Sequence, residues 1–522
     1  MHRSGTLLFI ALALSACGGD TTQDKDLAIE AGERMYREGM LPSGEPMMAL
    51  VGGDVPIVGT QFSCESCHGR SGMGVSEGAY VVPPVAAPLL FEPSPQPARP
   101  AYTAESLGRV LRDGVTSGGR ELMVELMPRY ELSDDDVATL TAYLQSLSAG
   151  TPPGIDDKVI RVATVVAGDA SAERRDAIFA VLERFAGDIN TETRNDSARW
   201  DRGFTPESKL PTVFREWVIE EWRLDGPPDT WDAQLESYYA ETPVFAMLSG
   251  VGTGTWEPVG EFCERQKLMC LYPSTDLPHQ SGDDFYTVYF SRGLLLEADL
   301  IASHLAEKPV DVIAQTWCDD ELAPAAKALK DSAQLSASTI LDFRFDCDDA
   351  PPFADIAAAV GETGAAVLWL GDEQLEQAEL PAARNYVSST LLEGSSPDAL
   401  ADASASVFAA HPFRLPGSLD SAMRRFGAWA QSRDVEIVDA RAQAEAFYAC
   451  LTFKNVVKHM GRYFIREYAL DMIDHAEGMA AYMPLYPRPT FGPGQRYISK
   501  GGYIVPVVDG ALAADEAEWI LP

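Results

Sequence analysis

"FSCESCHGRSGMG", Phe62 to Gly74, packs two cysteines and a histidine into five residues. Such a cluster can hold zinc, run thiol redox chemistry or anchor a porphyrin, and each use implies a different fold around it. Zinc needs two further ligands at suitable spacing, yet His2, His279, His304, His411, His459 and His475 stand singly and there is no second CxxC. A thioredoxin-type pair opens a helix after a buried strand, whereas the preceding "GGDVPIVGTQ" reads as a Gly-rich loop. The spacing Cys64-x-x-Cys67-His68 suits covalent haem attachment: both thiols add to the porphyrin vinyls, and the adjacent histidine reaches the iron from the same turn.

That reading requires a sixth ligand downstream, in a loop before a helix. "LMPRYELSDDDVATLTAYLQSL" contains Met127-Pro128, then Ser133 with Asp136 as a capping box, then Val137, Leu140, Leu144 and Leu147 on one helical face. With these motifs, residues 27–149 resemble a class I cytochrome c domain, which is all-α: "DLAIEAGERMYREGM" is the N-terminal helix, CESCH the haem site and Met-Pro the axial loop. The resemblance implies one covalent haem c ligated by His68 and Met127, with Met123 and Met73 as the competing thioethers. It also implies a close helix crossing at Gly32 near Tyr143, and a hydrogen bond from the His68 ring to the carbonyl of Pro83 or Pro84. A His/Met pair leaves no open coordination position, so the expected task is electron transfer.

The chain has 522 residues and a formal net charge of -37 spread along its length, which makes phosphate backbones poor partners and excludes nucleic-acid binding. Its start, "MHRSGTLLFIALALSAC", has a short basic head and an apolar run too short to span a bilayer, the pattern of an export signal over residues 1–16. Leu14-Ser15-Ala16-Cys17 resembles a bacterial lipobox, which implies acylation of Cys17. At about 0.8 kcal/mol per buried methylene, several acyl chains hold a protein to a membrane. Residues 17–26 are then a tether. The absence of Asp directly after Cys17 implies the outer membrane, with the chain on its periplasmic face. Outside the cytoplasm thiols tend to be oxidised or occupied. Cys263 with Cys270, and Cys318 with Cys347, can close as disulfides, and Cys450 is left as a buried thiol in a helical run.

"SAGTPPGIDD" marks a boundary, with residues 150–158 as linker. Beyond it "KVIRVATVV", "TPVFAMLSG", "VDVIAQTW", "SASTILDF" and "GAAVLWLGD" alternate with helical segments, which predicts parallel sheets covered on both faces, in two α/β lobes. Such lobes bind ligands at the carboxyl ends of their strands. Residues 159–522 resemble type I periplasmic binding proteins, the group of branched-chain amino acid and amide receptors, through "MLSGVGTGTWEPVGEFCERQKLMCLYPSTDLP", "FGPGQRYISKGGYIVPV" and the paired helices of "EAFYACLTFKNVVKHMGRYFIREYALDMID". By that resemblance Ser249, Thr253, Ser274 and Thr275 line the cleft from the first lobe, and Asp319, Asp372 and Glu393 stand at the corresponding turns of the second. The Gly-Val-Gly-Thr-Gly run departs from the hydroxyl-rich loop of amino acid receptors. It also lacks the third glycine and the acidic residue of a dinucleotide site.

No hydrolase triad is visible, so no catalytic activity is expected. The expectation is a membrane-anchored electron carrier with a fused binding or docking module, serving a periplasmic redox partner of the quinoprotein dehydrogenase kind. The alternative is a solute receptor with an accessory haem domain and a small molecule in its inter-lobe cleft.

Overall fold

The computed structural model describes residues 21–522 except 75, 78–79, 96–97, 124–126, 169, 203–214, 280, 283, 376–378, 393–399, 401–405, 476–483 and 492–493. The leader, Cys17 and Glu393 therefore lie outside the described residues. The chain divides into two units, Met1–Gly150 and Thr151–Pro522.

In the first unit, helix α1 (Thr21–Glu38) is followed by strands β1 (Met48–Val51) and β2 (Val55–Val58), the short helix α2 (Cys64–His68), helix α3 (Ala104–Asp113), strand β3 (Arg129–Tyr130) and helix α4 (Asp134–Ser146). Ser133 caps α4 through the expected box with Asp136. Val137, Leu140, Leu144 and Leu147 turn inward against Met35, Tyr36 and Leu107. The terminal helices cross where α1 has no side chain: a Cβ on Gly32 would fall 2.6 Å from the Thr139 carbonyl oxygen and from Tyr143 Cβ. The unit is not all-α, because β1 pairs antiparallel with both β2 and β3. The cause lies in "GGDVPIVG": Gly52 and Gly53 take positive φ (63° and 94°) and turn the chain, and the β-branched residues after them form a strand instead of the predicted loop.

The second unit begins with strand β4 (Val159–Ala167), helix α5 (Ala172–Asp201), strand β5 (Glu216–Leu224), helix α6 (Trp231–Glu241), strands β6 (Ala246–Leu248) and β7 (Val251–Thr255), and helix α7 (Glu257–Arg265). Strands β8 (Met269–Leu271), β9 (Ser274–Leu277) and β10 (Thr287–Val288) complete a parallel sheet in the order β9-β7-β4-β6-β8-β10, with β5 along the other edge of β4. β6 and β7 share one edge of β4 and are split at Ser249-Gly250, where φ is 58° and 123°.

The second lobe opens with helix α8 (Leu294–Glu307) and carries β11 (Val312–Trp317), β12 (Thr339–Arg344), β13 (Ala365–Leu368), β14 (Arg384–Ser388) and β15 (Val407–His411) in the parallel order β12-β11-β13-β14-β15. The last long strand, β16 (Gly502–Val508), joins antiparallel to β15. Between β15 and β16, helices α9 (Ala440–Met460) and α10 (Arg466–Asp474) return to the first lobe. Phe447, Phe453 and Leu470 belong to the same core as Phe185, Trp217 and Phe245. The chain thus passes between lobes near Ser291–Gly293, His411–Phe413 and Ser499–Gly502, as the membership of the two cores shows. Trp217, Trp222 and Trp231 are all buried in the first lobe.

Cys318 and Cys347 are joined, fastening the end of β11 to the segment after β12. The expected Cys263–Cys270 bridge is not formed. Both are free, buried thiols, and Cys263 Sγ is turned onto Met247 Sδ at 3.4 Å. Cys450 is buried and free, its thiol pushed up by burial.

Candidate functional site

The CESCH segment forms one helical turn because its ends are held. Ser63 accepts from the Ser66 backbone N–H at 3.3 Å, and the Ser66 hydroxyl returns a bond to the Ser63 carbonyl at 2.7 Å. Gly69 ends the turn with φ 75°, and the buried Tyr36 hydroxyl donates to its carbonyl at 2.6 Å, pinning the turn to α1. Arg37 pairs with Glu33 at 2.9 Å and reaches Glu65 at 3.8 Å. One turn places Cys64 and Cys67 three residues apart on a single face, with His68 directly after them.

His68 Nδ1 lies 2.9 Å from the Pro83 carbonyl oxygen. A carbonyl can only accept, so Nδ1 carries the proton and Nε2 is left as the lone-pair nitrogen. Burial lowers the imidazole pKa, partly offset by the Pro83 bond, so the ring is neutral, the form that binds metal. Gly74 makes this contact possible: with φ 77°, its Cα passes where a Cβ would strike the Val82 carbonyl oxygen at 2.2 Å. Burial, reinforced by Cys67, pushes the Cys64 thiol up to about 12.

Three thioethers compete for the opposite face. Met127 is half-buried against the core of this unit, whereas Met123 is 62% exposed. Met73 is buried five residues beyond His68, on a segment turned by Ser71 and Gly72. Tyr130, three residues past Met127, donates to the Phe62 carbonyl at 3.2 Å and so ties the Met-Pro segment to the residue before the CESCH turn. Two free thiols on one turn, a neutral imidazole held through Nδ1 and a half-buried methionine packed on the same core form a donor set that fits covalent haem c. The sequence reading missed Tyr36, Arg129 and Tyr130. Their signal was adjacency, since "MPRY" places both Arg129 and Tyr130 next to the ligand candidate.

A second site lies at the strand ends of the α/β unit. Pro273, Ser274, Thr275 and Pro278 face Thr390, Phe413, Arg441, Glu445 and Tyr486 around a cavity of 340 Å³, counted out to its open mouth, of which the side chains leave room for about one water. Arg441 lies 3.9 Å from Asp276 and 5.2 Å from the Phe413 ring centroid. Burial would lower its pKa, but Glu445 and Asp276 more than offset that, and it stays charged. Burial also raises Glu445, against Arg441 and hydrogen bonds from Tyr486 (2.7 Å) and Ser274. Thr275 and Arg441, which line this cavity, each carry a buried polar atom, Oγ1 and Nε, without a hydrogen-bond partner among the described residues.

Of the predicted cleft residues, Ser274 and Thr275 line the cavity. Ser249, Thr253, Asp319 and Asp372 are not among its lining residues. Asp319 accepts from the Glu321 backbone N–H at 2.9 Å, as an ordinary helix cap, and Asp372 begins a short helix. Arg441 and Glu445, which the sequence reading missed, stand one turn apart on α9.

Residues 59–148 match the family model of cytochrome c. No curated protein matches the chain significantly. Similar solved structures include the branched-chain amino acid substrate-binding protein LivJ of Streptococcus pneumoniae in complex with isoleucine, with a TM-score of 0.48, 12% identity, and coverage of 70% of this chain and 100% of that one. A substrate-binding periplasmic protein of Ralstonia solanacearum has a TM-score of 0.48 and 15% identity over 68% and 99% of the two chains. A branched-chain amino acid ABC transporter protein of Thermus thermophilus with bound valine has 0.48 and 10% over 70% and 97%.

Proposed function

We propose that this chain is a membrane-anchored electron carrier of the periplasm. Cys64 and Cys67 hold one haem c covalently, His68 and Met127 are its axial ligands, and the α/β unit docks or senses a partner dehydrogenase. The observation that carries the reading is the CESCH turn itself: two free thiols on one face, with His68 oriented through Nδ1 by the Pro83 carbonyl, inside a segment that matches cytochrome c. When bound, the haem supplies reversible one-electron chemistry. The chain's own part is to hold the imidazole neutral and aimed, to keep a thioether on the inward side, and to surround both with the apolar packing of Met35, Leu107 and Tyr130. Acylation of Cys17 would keep the carrier on the periplasmic face of the outer membrane, the membrane that the residues after Cys17 favour.

The test is to express the mature chain with haem-maturation machinery and measure its mass and visible spectrum. The product should carry the added mass of one haem. Met127→Ala should lose the methionine–iron charge-transfer band, and Met123→Ala should keep it. A colourless product without the added mass removes the proposal.

A solute-receptor reading of the α/β unit is favoured by one observation: Thr275 and Arg441, two residues that line one cavity, each carry a buried polar atom without a hydrogen-bond partner among the described residues, and buried polar groups are ordinarily bonded. Thermal-shift screening of amino acids, alcohols and amides checks it. A ligand should raise the melting temperature of the wild type and not of Arg441→Gln.

A further inference from the structure

Arg129 stands two residues beyond Met127 and spends its guanidinium on the backbone around that residue. Nη1 donates to the Met127 carbonyl oxygen at 2.7 Å, and Nη2 donates to the Leu122 carbonyl oxygen at 2.8 Å. One planar, charged group therefore closes both ends of the segment from Leu122 to Met127. Its own backbone is fixed, because Arg129 pairs with Leu50 in the small sheet. The guanidinium also has a made place: Gly114 ends α3 with φ 74°, and a Cβ there would fall 2.1 Å from Arg129 Nη2. The Leu122 N–H donates to the Gly114 carbonyl at 2.8 Å, so the helix end, the guanidinium and the start of the segment form one bonded unit. An arginine fork matches two carbonyls at once, which the point charge of a lysine cannot do.

We infer that Arg129 is the positioning residue for the axial thioether: it holds the Met127 backbone so that the side chain stays directed inward and resists displacement by an outside ligand. The inference rests on Met127 being the ligand, and it adds the residue that keeps it there. Met127 itself is only half-buried and lies outside β3, so its backbone is held by this fork and, three residues on, by the Tyr130 bond to Phe62.

The experiment uses the haem-loaded, oxidised full chain as wild type, Arg129→Gln, Arg129→Lys and Met127→Ala. It reads the methionine–iron charge-transfer band, the affinity for cyanide, which competes with the thioether, and the far-ultraviolet circular dichroism. With hydrogen bonds from a charged donor removed, Arg129→Gln should weaken the band and bind cyanide about tenfold more tightly or more, at unchanged circular dichroism. Arg129→Lys should fall between. If Arg129→Gln fails to fold, Gly114→Ala makes the same test, since it displaces the guanidinium without removing it. Unchanged band and cyanide affinity in a folded Arg129→Gln, together with loss of the band in Met127→Ala, overturns the positioning role alone. A band that survives in Met127→Ala removes the axial assignment and the inference with it.

Discussion

Glu297 is a carboxyl group in a place that water does not reach. It sits on α8 with no exposed surface, where Oε1 accepts from the Thr390 backbone N–H at 3.0 Å and from its hydroxyl at 2.7 Å. Burial raises its pKa to about 8, against the hydrogen bonds from Ser388 and Thr390 and the more distant charge of Arg441. The folded state thus keeps a proton that the unfolded chain releases near the ordinary value of 4.5. The stability this contributes is complete below that lower value and is lost as pH rises through about 8, to the extent of 3–5 kcal/mol at most, an order-of-magnitude bound. Glu297→Gln keeps the accepting oxygen without the charge. Its denaturant midpoint should lie above the wild-type value at pH 8.5 and converge with it at pH 5. An equal difference at both pH values would show that no proton is held there.

At the scale of elements, the crossing of α1 and α4 rests on Gly32. Replacing a helical glycine with alanine ordinarily gains about 1 kcal/mol through propensity. Here the new Cβ meets a backbone carbonyl and the root of Tyr143, neither of which can swing away, so the helices must separate at a cost of about 1–3 kcal/mol. Gly32→Ala should therefore lower the stability of the haem-binding segment, measured by urea titration of the Soret band, and a gain in stability would refute the close crossing. The crossing at Gly32 was expected only through the resemblance to class I cytochrome c, since it joins residues over 100 positions apart, whereas the capping box of α4 and its apolar face were legible in the sequence because each is a local pattern of residue spacing. The hairpin of β1 and β2 was not, since Gly52-Gly53 has the composition of a loop and becomes a turn only when β3 arrives to pair with β1 from some 80 residues away. β5 escaped for a related reason: Glu220, Glu221 and Arg223 interrupt its apolar run because it lies on the sheet edge beside β4. The cavity was half legible. Ser274 and Thr275 stand at a strand end where ligand sites are expected, but Arg441 reaches Asp276 from a helix that carries no local sign of facing a cleft.

The charge of the whole molecule sets which partners can approach it. With 78 acidic against 41 basic side chains, the field around the protein is negative at neutral pH, and the acidic residues are distributed through both units. Such a field concentrates cations and repels anions, changing encounter rates by roughly 10–1,000-fold at low salt. An electron carrier with this surface should exchange electrons faster with a cationic mediator such as hexaammineruthenium than with ferricyanide, after correction for driving force. The ratio should fall as ionic strength rises from about 0.01 M to 1 M, over which the screening length shrinks from about 30 Å to 3 Å. Stopped-flow measurement of both reactions against salt gives the slope directly. A ratio that does not change with salt would place electron entry at a neutral patch, and recognition of a redox partner would then have to come from apolar contact instead of charge.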